Sequence, residues 1–137
     1  MERVKMEKII NTKGKRKSAI ARATLKAGKG KIMINNTSLE NYEPSLYRIR
    51  IMEPILLSGE VGAQVDIDVN AEGGGMSSQT TAIRLAIGKA LVQYAPKLKK
   101  IFLEYDRQLL VADVRLKEPA KPNRHGQARA RRQKSYR

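Results

Sequence analysis

Apolar and polar residues alternate along 18–26, where Ala19, Ala21, Ala23 and Leu25 interleave with Ser18, Arg22, Thr24 and Lys26. A period near two predicts a strand with one buried face and a second face that carries Arg22 and Lys26 outward. Ala27-Gly28-Lys29-Gly30 is a turn signal, and Ile32-Met33-Ile34 before Asn35-Asn36 reads as another strand. The two are expected to form a hairpin, with Val4 to Ile10 available as a third strand. Thr37 and Glu40 have capping-box spacing, which predicts a short helix closed by Pro44. A second helix is expected from Ser45, with Leu46, Ile49, Met52 and Leu56 on one stripe and Arg48 and Arg50 off it. Val65, Ile67 and Val69 then alternate with Asp66, Asp68 and Asn70, the clearest half-buried strand in the chain, its acidic face toward solvent.

After Gly73-Gly74-Gly75, Ser77 or Ser78 is placed to N-cap a long central helix in which Ile83, Ile87, Ala90, Leu91 and Tyr94 recur at helical spacing. Pro96 can open another short helix with Leu98, Ile101 and Phe102 inward, and Leu109 to Ala112 reads as a final strand. From Arg115 the pattern stops. Pro119, Pro122, Gly126 and alternating Ala and Arg bury nothing, so this stretch cannot offset its own ordering entropy and is expected to be disordered without a partner. The reading is one α/β (α+β) body over 1–114 and a tail over 115–137, which suits a chain of 137 residues.

Charge sharpens that division. Residues 1–31 hold eleven basic residues against two acidic, net +9; residues 32–114 hold eight against ten, net −2; residues 115–137 hold nine against one, net +8. A single charged run is usually a solvated surface, but two basic clusters at opposite ends of a short chain point to a polyanion. DNA, RNA and acidic membrane all fit that description. The chain has no Cys and a single His, His125, so neither a disulfide framework, a thiolate metal site nor a Cys/His dyad is expected. Glu2, Arg3, Lys5, Glu7 and Lys8 interrupt the start, and no apolar stretch approaches the ~18 residues of a membrane span, so a soluble intracellular protein without cofactor or membrane partner is expected.

A glycine-rich turn before a helix is a phosphate cradle in principle. The specific signatures fail: Gly88-Lys89 is followed by Ala90, and Gly73-x-Gly75-x-x-Ser78 lacks its last glycine and its downstream acid. Gly-Gly-Gly-Met-Ser-Ser is similar to the phosphate loop of small-metabolite kinases related to galactokinase, with Asp66, Asp68 or Glu72 as candidate acids. Those enzymes are far longer, and no sequence is left here for a substrate lobe. Glycines that permit a tight strand-to-helix turn are the simpler reading. His125 lies in the tail, where a general base would be unpositioned.

At Lys15-Arg16-Lys17-Ser18-Ala19-Ile20-Ala21-Arg22, at Gly73-Gly74-Gly75 with Gln79 through Leu91, and at the ending Ala-Arg-Ala-Arg-Arg-Gln-Lys-Ser-Tyr-Arg, the sequence resembles the universal small-subunit ribosomal protein S-nine family. Further matches are Lys31-Ile32, Ile34-Asn35, Leu39-Glu40 with Tyr42 before Pro44, and Leu109-Leu110 with Asp113 and Arg115. The ending Ser135-Tyr136-Arg137 resembles the archaeal and eukaryotic branch. The resemblance implies the left-handed β-α-β fold named after the second domain of ribosomal protein S-five, and a place in the head of the small subunit beside other head proteins. It implies ribosomal RNA contacts at Lys13, Lys15, Arg16, Lys17, Arg22, Ser77, Gln79, Arg84, Arg115, Lys117, Lys121, Arg124, Arg129, Arg131 and Arg132. Lys134, Ser135, Tyr136 and Arg137 are expected at the anticodon stem-loop of the peptidyl-site tRNA. Family members often have Gly-Gln-Ala-Gly where this chain has Ser78-Gln79-Thr80-Thr81, so no RNA contact is carried over to Ser78.

The tail's physics agrees. Its 23 residues, fully extended, span about 75–80 Å. Its arginines suit bidentate phosphate contact, and Tyr136 suits base stacking. The opposing reading, a DNA-architectural protein, calls for a dimer seam or an apolar wedge on a β-arm, and neither pattern is visible. No homo-oligomer is expected.

Overall fold

The computed structural model describes residues 8–42, 45–123 and 128–129. Its strands are β1 (Ile10–Arg16), β2 (Ala19–Ala27), β3 (Ile32–Ile34), β4 (Thr37–Ser38) and β5 (Val65–Glu72), and its helices are α1 (Ser45–Ser58), α2 (Glu60–Ala63), α3 (Met76–Tyr94) and α4 (Leu98–Tyr105). Single 3-10 turns occupy Leu39–Asn41 and Arg107–Leu109. The five strands form one mixed sheet in the order β1-β2-β5-β3-β4, with β3 and β5 parallel and the other pairs antiparallel. This is the α+β architecture expected from the sequence.

All three long helices lie on one side of the sheet. Helix α3 packs across β1, β2 and β5, and α1 and α4 cover its far side. Every residue from Ala82 to Gly88 is therefore buried, the condition of a helix enclosed on all faces. Ile83, Ile87, Leu91 and Phe102 are fully buried, each contributing about 1.5–3 kcal/mol of apolar transfer. Val65, Ile67 and Val69 point inward as their alternation predicts.

Several expectations are corrected. Residues 4–7 of the strand expected at Val4 to Ile10 lie outside the described residues; among the described ones, Lys8 and Ile9 are not in a strand, and pairing begins at Ile10 with Leu25, in β1. Its inward residues are Ile10, Thr12 and Gly14, too polar and too small to show as an apolar stripe. Thr12 enters the core because its hydroxyl donates to Ala86 O at 2.7 Å, and Gly14 because a Cβ there would fall 2.1 Å from Ala82 O. The hairpin between 18–26 and 32–34 does not form: β5 lies between them, and β2 hairpins with β1. Strand β5 is held there by its ladders with β2 and β3, and the Asp66 carboxylate, which accepts the amides of Lys29 and Lys31 at 3.0 and 2.9 Å, ties the connecting loop to it.

Thr37 and Glu40 open no helix. Thr37 belongs to β4, and the 3-10 turn that follows has no side-chain cap. In α1 the buried residues are Ile51, Pro54 and Ser58, while Leu46, Ile49 and Leu56 are exposed. Both faces of this helix are apolar, so periodicity alone could not choose between them. Helix α3 begins after Gly75, and Ser77 and Ser78 lie in its first turn instead of capping it. Ile101 is exposed, leaving Leu98 and Phe102 as the inward pair of α4. Leu109 to Ala112 is not a strand; Leu109 is buried at the end of a 3-10 turn, and no regular element follows it among the described residues.

Candidate nucleic-acid interface

Among the described residues no helix covers the other side of the sheet. Strand register sets its side chains in rows: Lys13, Arg22 and Asn70 form one, and Lys15, Ile20 and Glu72 the next. Basic residues thus crowd β1 and β2 while acids lie on β5. Arg22 meets Glu72 at 3.5 Å, both well exposed, a pair worth little in water.

At one end of this face three segments meet that are far apart in sequence. Strands β1 and β2 join through Lys17-Ser18, with Lys17 held at φ 53°, a conformation that costs a residue with a Cβ roughly 1–2 kcal/mol. The Gly73-Gly74 turn rests on that hairpin: Gly73 has φ 77°, and a Cβ there would meet Ser18 O at 2.5 Å. The third segment is the strap Asp113–Lys117. Arg16 latches it by donating to Arg115 O at 3.3 Å and pairing with Asp113 at 3.6 Å. The Asp113 carboxylate is 11% exposed and forked by Arg115, whose Nε lies 3.0 and 2.9 Å from its two oxygens. The side-chain hydrogen bonds from Arg115, and then its backbone amide, hold the Asp113 carboxyl well below the usual carboxylate range.

Between hairpin and strap runs a groove of about 810 Å³, lined by Lys15, Lys17, Ser18 and Ile20 on one side and Arg115, Leu116 and Lys117 on the other. Its ammonium groups carry charge and its floor is aliphatic, so it offers phosphate pairing at the walls and an apolar surface within.

The remaining predicted residues fall variously. Lys13 is exposed, and its carbonyl accepts from Lys89 Nζ at 3.1 Å. Ser77 is exposed in the first turn of α3. The amide of Gln79 closes the glycine turn by donating to Gly73 O at 3.0 Å. Lys121 and Arg129 both pair with Glu118, at 2.6 and 2.9 Å, and lower its carboxyl pKa. Arg124, Arg131, Arg132, Lys134, Ser135, Tyr136 and Arg137 lie outside the described residues.

Arg84 is the clear departure. It is 6% exposed on α3, with Nη2 on Glu53 of α1 and Nη1 3.0 Å from Asp106 Oδ2 after α4. Its cation is committed inside the protein and is withdrawn from the proposed RNA contacts. Three residues of the site escaped sequence reading: Asp113, Ile20 and Leu116. Ile20 carried a signal, being apolar on a face otherwise built from Arg22, Thr24 and Lys26.

The fold and this site define a basic α+β domain whose cations gather at one end of an open sheet. Residues 14–137 match the family model of ribosomal protein S9/S16. The chain is also 50% identical over 133 residues to the small ribosomal subunit protein uS9 of Methanococcus vannielii, covering 95% of this chain and 99% of that one. The same identity and coverage hold for uS9 of Methanococcus maripaludis strain C5. The chain belongs to the ribosomal protein S9/S16 family, a family of structural, non-enzymatic proteins.

Proposed function

We propose that the chain is a structural constituent of the small ribosomal subunit in the cytoplasm, bound to small-subunit rRNA in the head beside neighbouring head proteins. The observation that carries this reading is the convergence of hairpin, glycine turn and strap at one end of the sheet, in a chain 50% identical over 95% of its length to proteins named for that subunit. Lys13, Lys15, Lys17, Arg22, Ser77, Arg115 and Lys117 are the proposed rRNA contacts of the body. Arg16 and Gln79 position them through the latch and the turn. The parallel β3–β5 pair, bridged by α1 and α2, supports assignment to the left-handed β-α-β fold of the second domain of ribosomal protein S-five.

The tail expected to be disordered from Arg115 onward begins instead with residues 115–117 latched to the hairpin, and the rest is proposed as a basic segment that follows rRNA through Lys121, Arg124, Arg129, Arg131 and Arg132. Lys134, Ser135, Tyr136 and Arg137 then reach the peptidyl-site tRNA. Neutralising backbone phosphates with this many cations makes the binding steeply salt-dependent in isolation. Sedimentation of cell extract through a sucrose gradient, before and after a high-salt wash, tests the assignment. Stoichiometric comigration with the small subunit that survives the wash is expected, and a protein that stays free or follows DNA would overturn it. Deleting residues 134–137 is expected to leave incorporation intact and to weaken peptidyl-site tRNA binding by purified subunits.

A further inference from the structure

We propose that the groove between the β1–β2 hairpin and the strap is a pocket for a single unpaired nucleotide of RNA, with a base inside and its flanking phosphates on the rim. This rests on the rRNA reading above and sharpens it, because a surface that only attracts a polyanion needs no apolar floor and no fixed plane. Three features argue for a base.

Ile20 and Leu116 both line the groove, one from the hairpin and one from the strap, and Leu116 is 60% exposed although its neighbours are cations. An aliphatic pair left open among Lys15, Lys17 and Lys117 costs solubility and gains nothing from phosphate. A nucleobase laid against it removes apolar surface from water. Next to this pair sits Arg115. Its guanidinium is forked on a carboxylate that is itself nearly enclosed, so the planar group is immobilised while its side chain stays 76% exposed. Guanidinium planes, like aromatic rings, stack on unstacked bases, and here the plane is ordered before any RNA arrives.

The lysines complete the site. Lys15 and Lys17 on the hairpin and Lys117 on the strap stand on both banks, as a backbone entering and leaving a bulge requires. Lys17 holds its place in a left-handed conformation that glycine adopts without strain, and the lysine side chain at that turn lines the groove. Carboxylates nearby are already engaged: Asp113 by Arg16 and Arg115, Glu72 by Arg22, and Glu118 by Lys121 and Arg129. A duplex fits poorly, since its bases are stacked within and present only edges and phosphates.

The test uses the full chain and two RNA hairpins of equal length, one fully paired and one with a single bulged nucleotide, titrated over a range of salt. Wild-type protein is expected to favour the bulged hairpin by about tenfold. The variant I20A/L116A should lose that preference while keeping the salt slope, and Arg115→Lys should do the same, since it keeps the charge and removes the plane. These side chains lie outside the core, so the variants fold. Equal wild-type affinity for both hairpins, or full preference retained in either variant, overturns the pocket and leaves the rRNA reading standing. Failure to bind either hairpin at low salt overturns the rRNA reading itself.

Discussion

Arginine meets carboxylate in two regions of this molecule with opposite results. Beneath α1 and α4 the cation is enclosed: the Arg84 side chain is 7% exposed, while its partners Glu53 and Asp106 sit nearer the rim at 29% and 36%. At the hairpin end the carboxylate is enclosed: Asp113 is 11% exposed and Arg115 76%. Which partner is buried decides what the pair offers. An enclosed cation staples three elements together and is lost to any ligand. An enclosed carboxylate holds a cation at the surface with its plane fixed, ready for a polyanion. Counting charge along the chain cannot separate the two, because each arginine adds one positive charge whichever partner of its pair is enclosed.

The largest expected effect breaks the first region. Arg84→Ala leaves two carboxylates facing each other and is expected to cost about 2–3 kcal/mol in urea unfolding, short of the roughly 3–5 for a fully enclosed pair because Glu53 and Asp106 keep part of their hydration. RNA affinity of the folded variant should not change. The second region responds the other way. Lys15→Ala, Lys17→Ala or Lys117→Ala should each leave stability within about 0.5 kcal/mol. Each should also reduce the slope of log affinity against log salt by roughly 0.7–0.9. Lys17→Gly separates the two quantities at one position: it relieves the φ of 53° and removes a cation, so stability should rise by about 0.5 kcal/mol while RNA affinity falls.

The smallest effect is on pH. Asp113 is held below the usual carboxylate range by Arg115, and Asp66 by the amides of Lys31 and Lys29. A depressed folded-state pKa contributes stability that is complete above the unfolded value and lost as pH falls through the folded one. The strap should therefore stay latched from neutral pH to below about pH 4, and hydrogen exchange at the Arg115 amide, which donates to Asp113 at 3.0 Å, should accelerate only in stronger acid. Asp113→Asn should make that exchange fast at every pH.

Where one face was apolar and the other polar, the sequence was enough: β2 and β5 lie where their alternation places them, and the long apolar run after the glycine turn was enough to place α3. The sequence misled where the two faces looked alike. Helix α1 has apolar residues all round, and its neighbour α3 selected Ile51 over Leu46 and Ile49. Strand order was beyond reach, since β5 enters between β2 and β3 through long-range backbone pairing with both, which the alternation within each strand does not encode. Of the site, the Lys15-Arg16-Lys17 cluster and the glycine turn were legible as motifs. Their meeting point was not, because it depends on Gly73 touching Ser18 and on Asp113 reaching Arg16. Arg84 could have been recognised as internal: it lies in a helix where apolar residues occupy every face around it.

The most direct test of the central claim, that the open sheet end binds RNA and the helical side does not, is a matched pair of triple variants. Lys15, Lys17 and Lys117 are changed to Ala in one, and Lys97, Lys99 and Lys100, which lie at and just before the start of α4, in the other. Both lose three charges. Titrated against a transcript of the small-subunit head rRNA, the first should lose about two units of salt slope and the second well under one. Equal losses in the two variants would contradict the account.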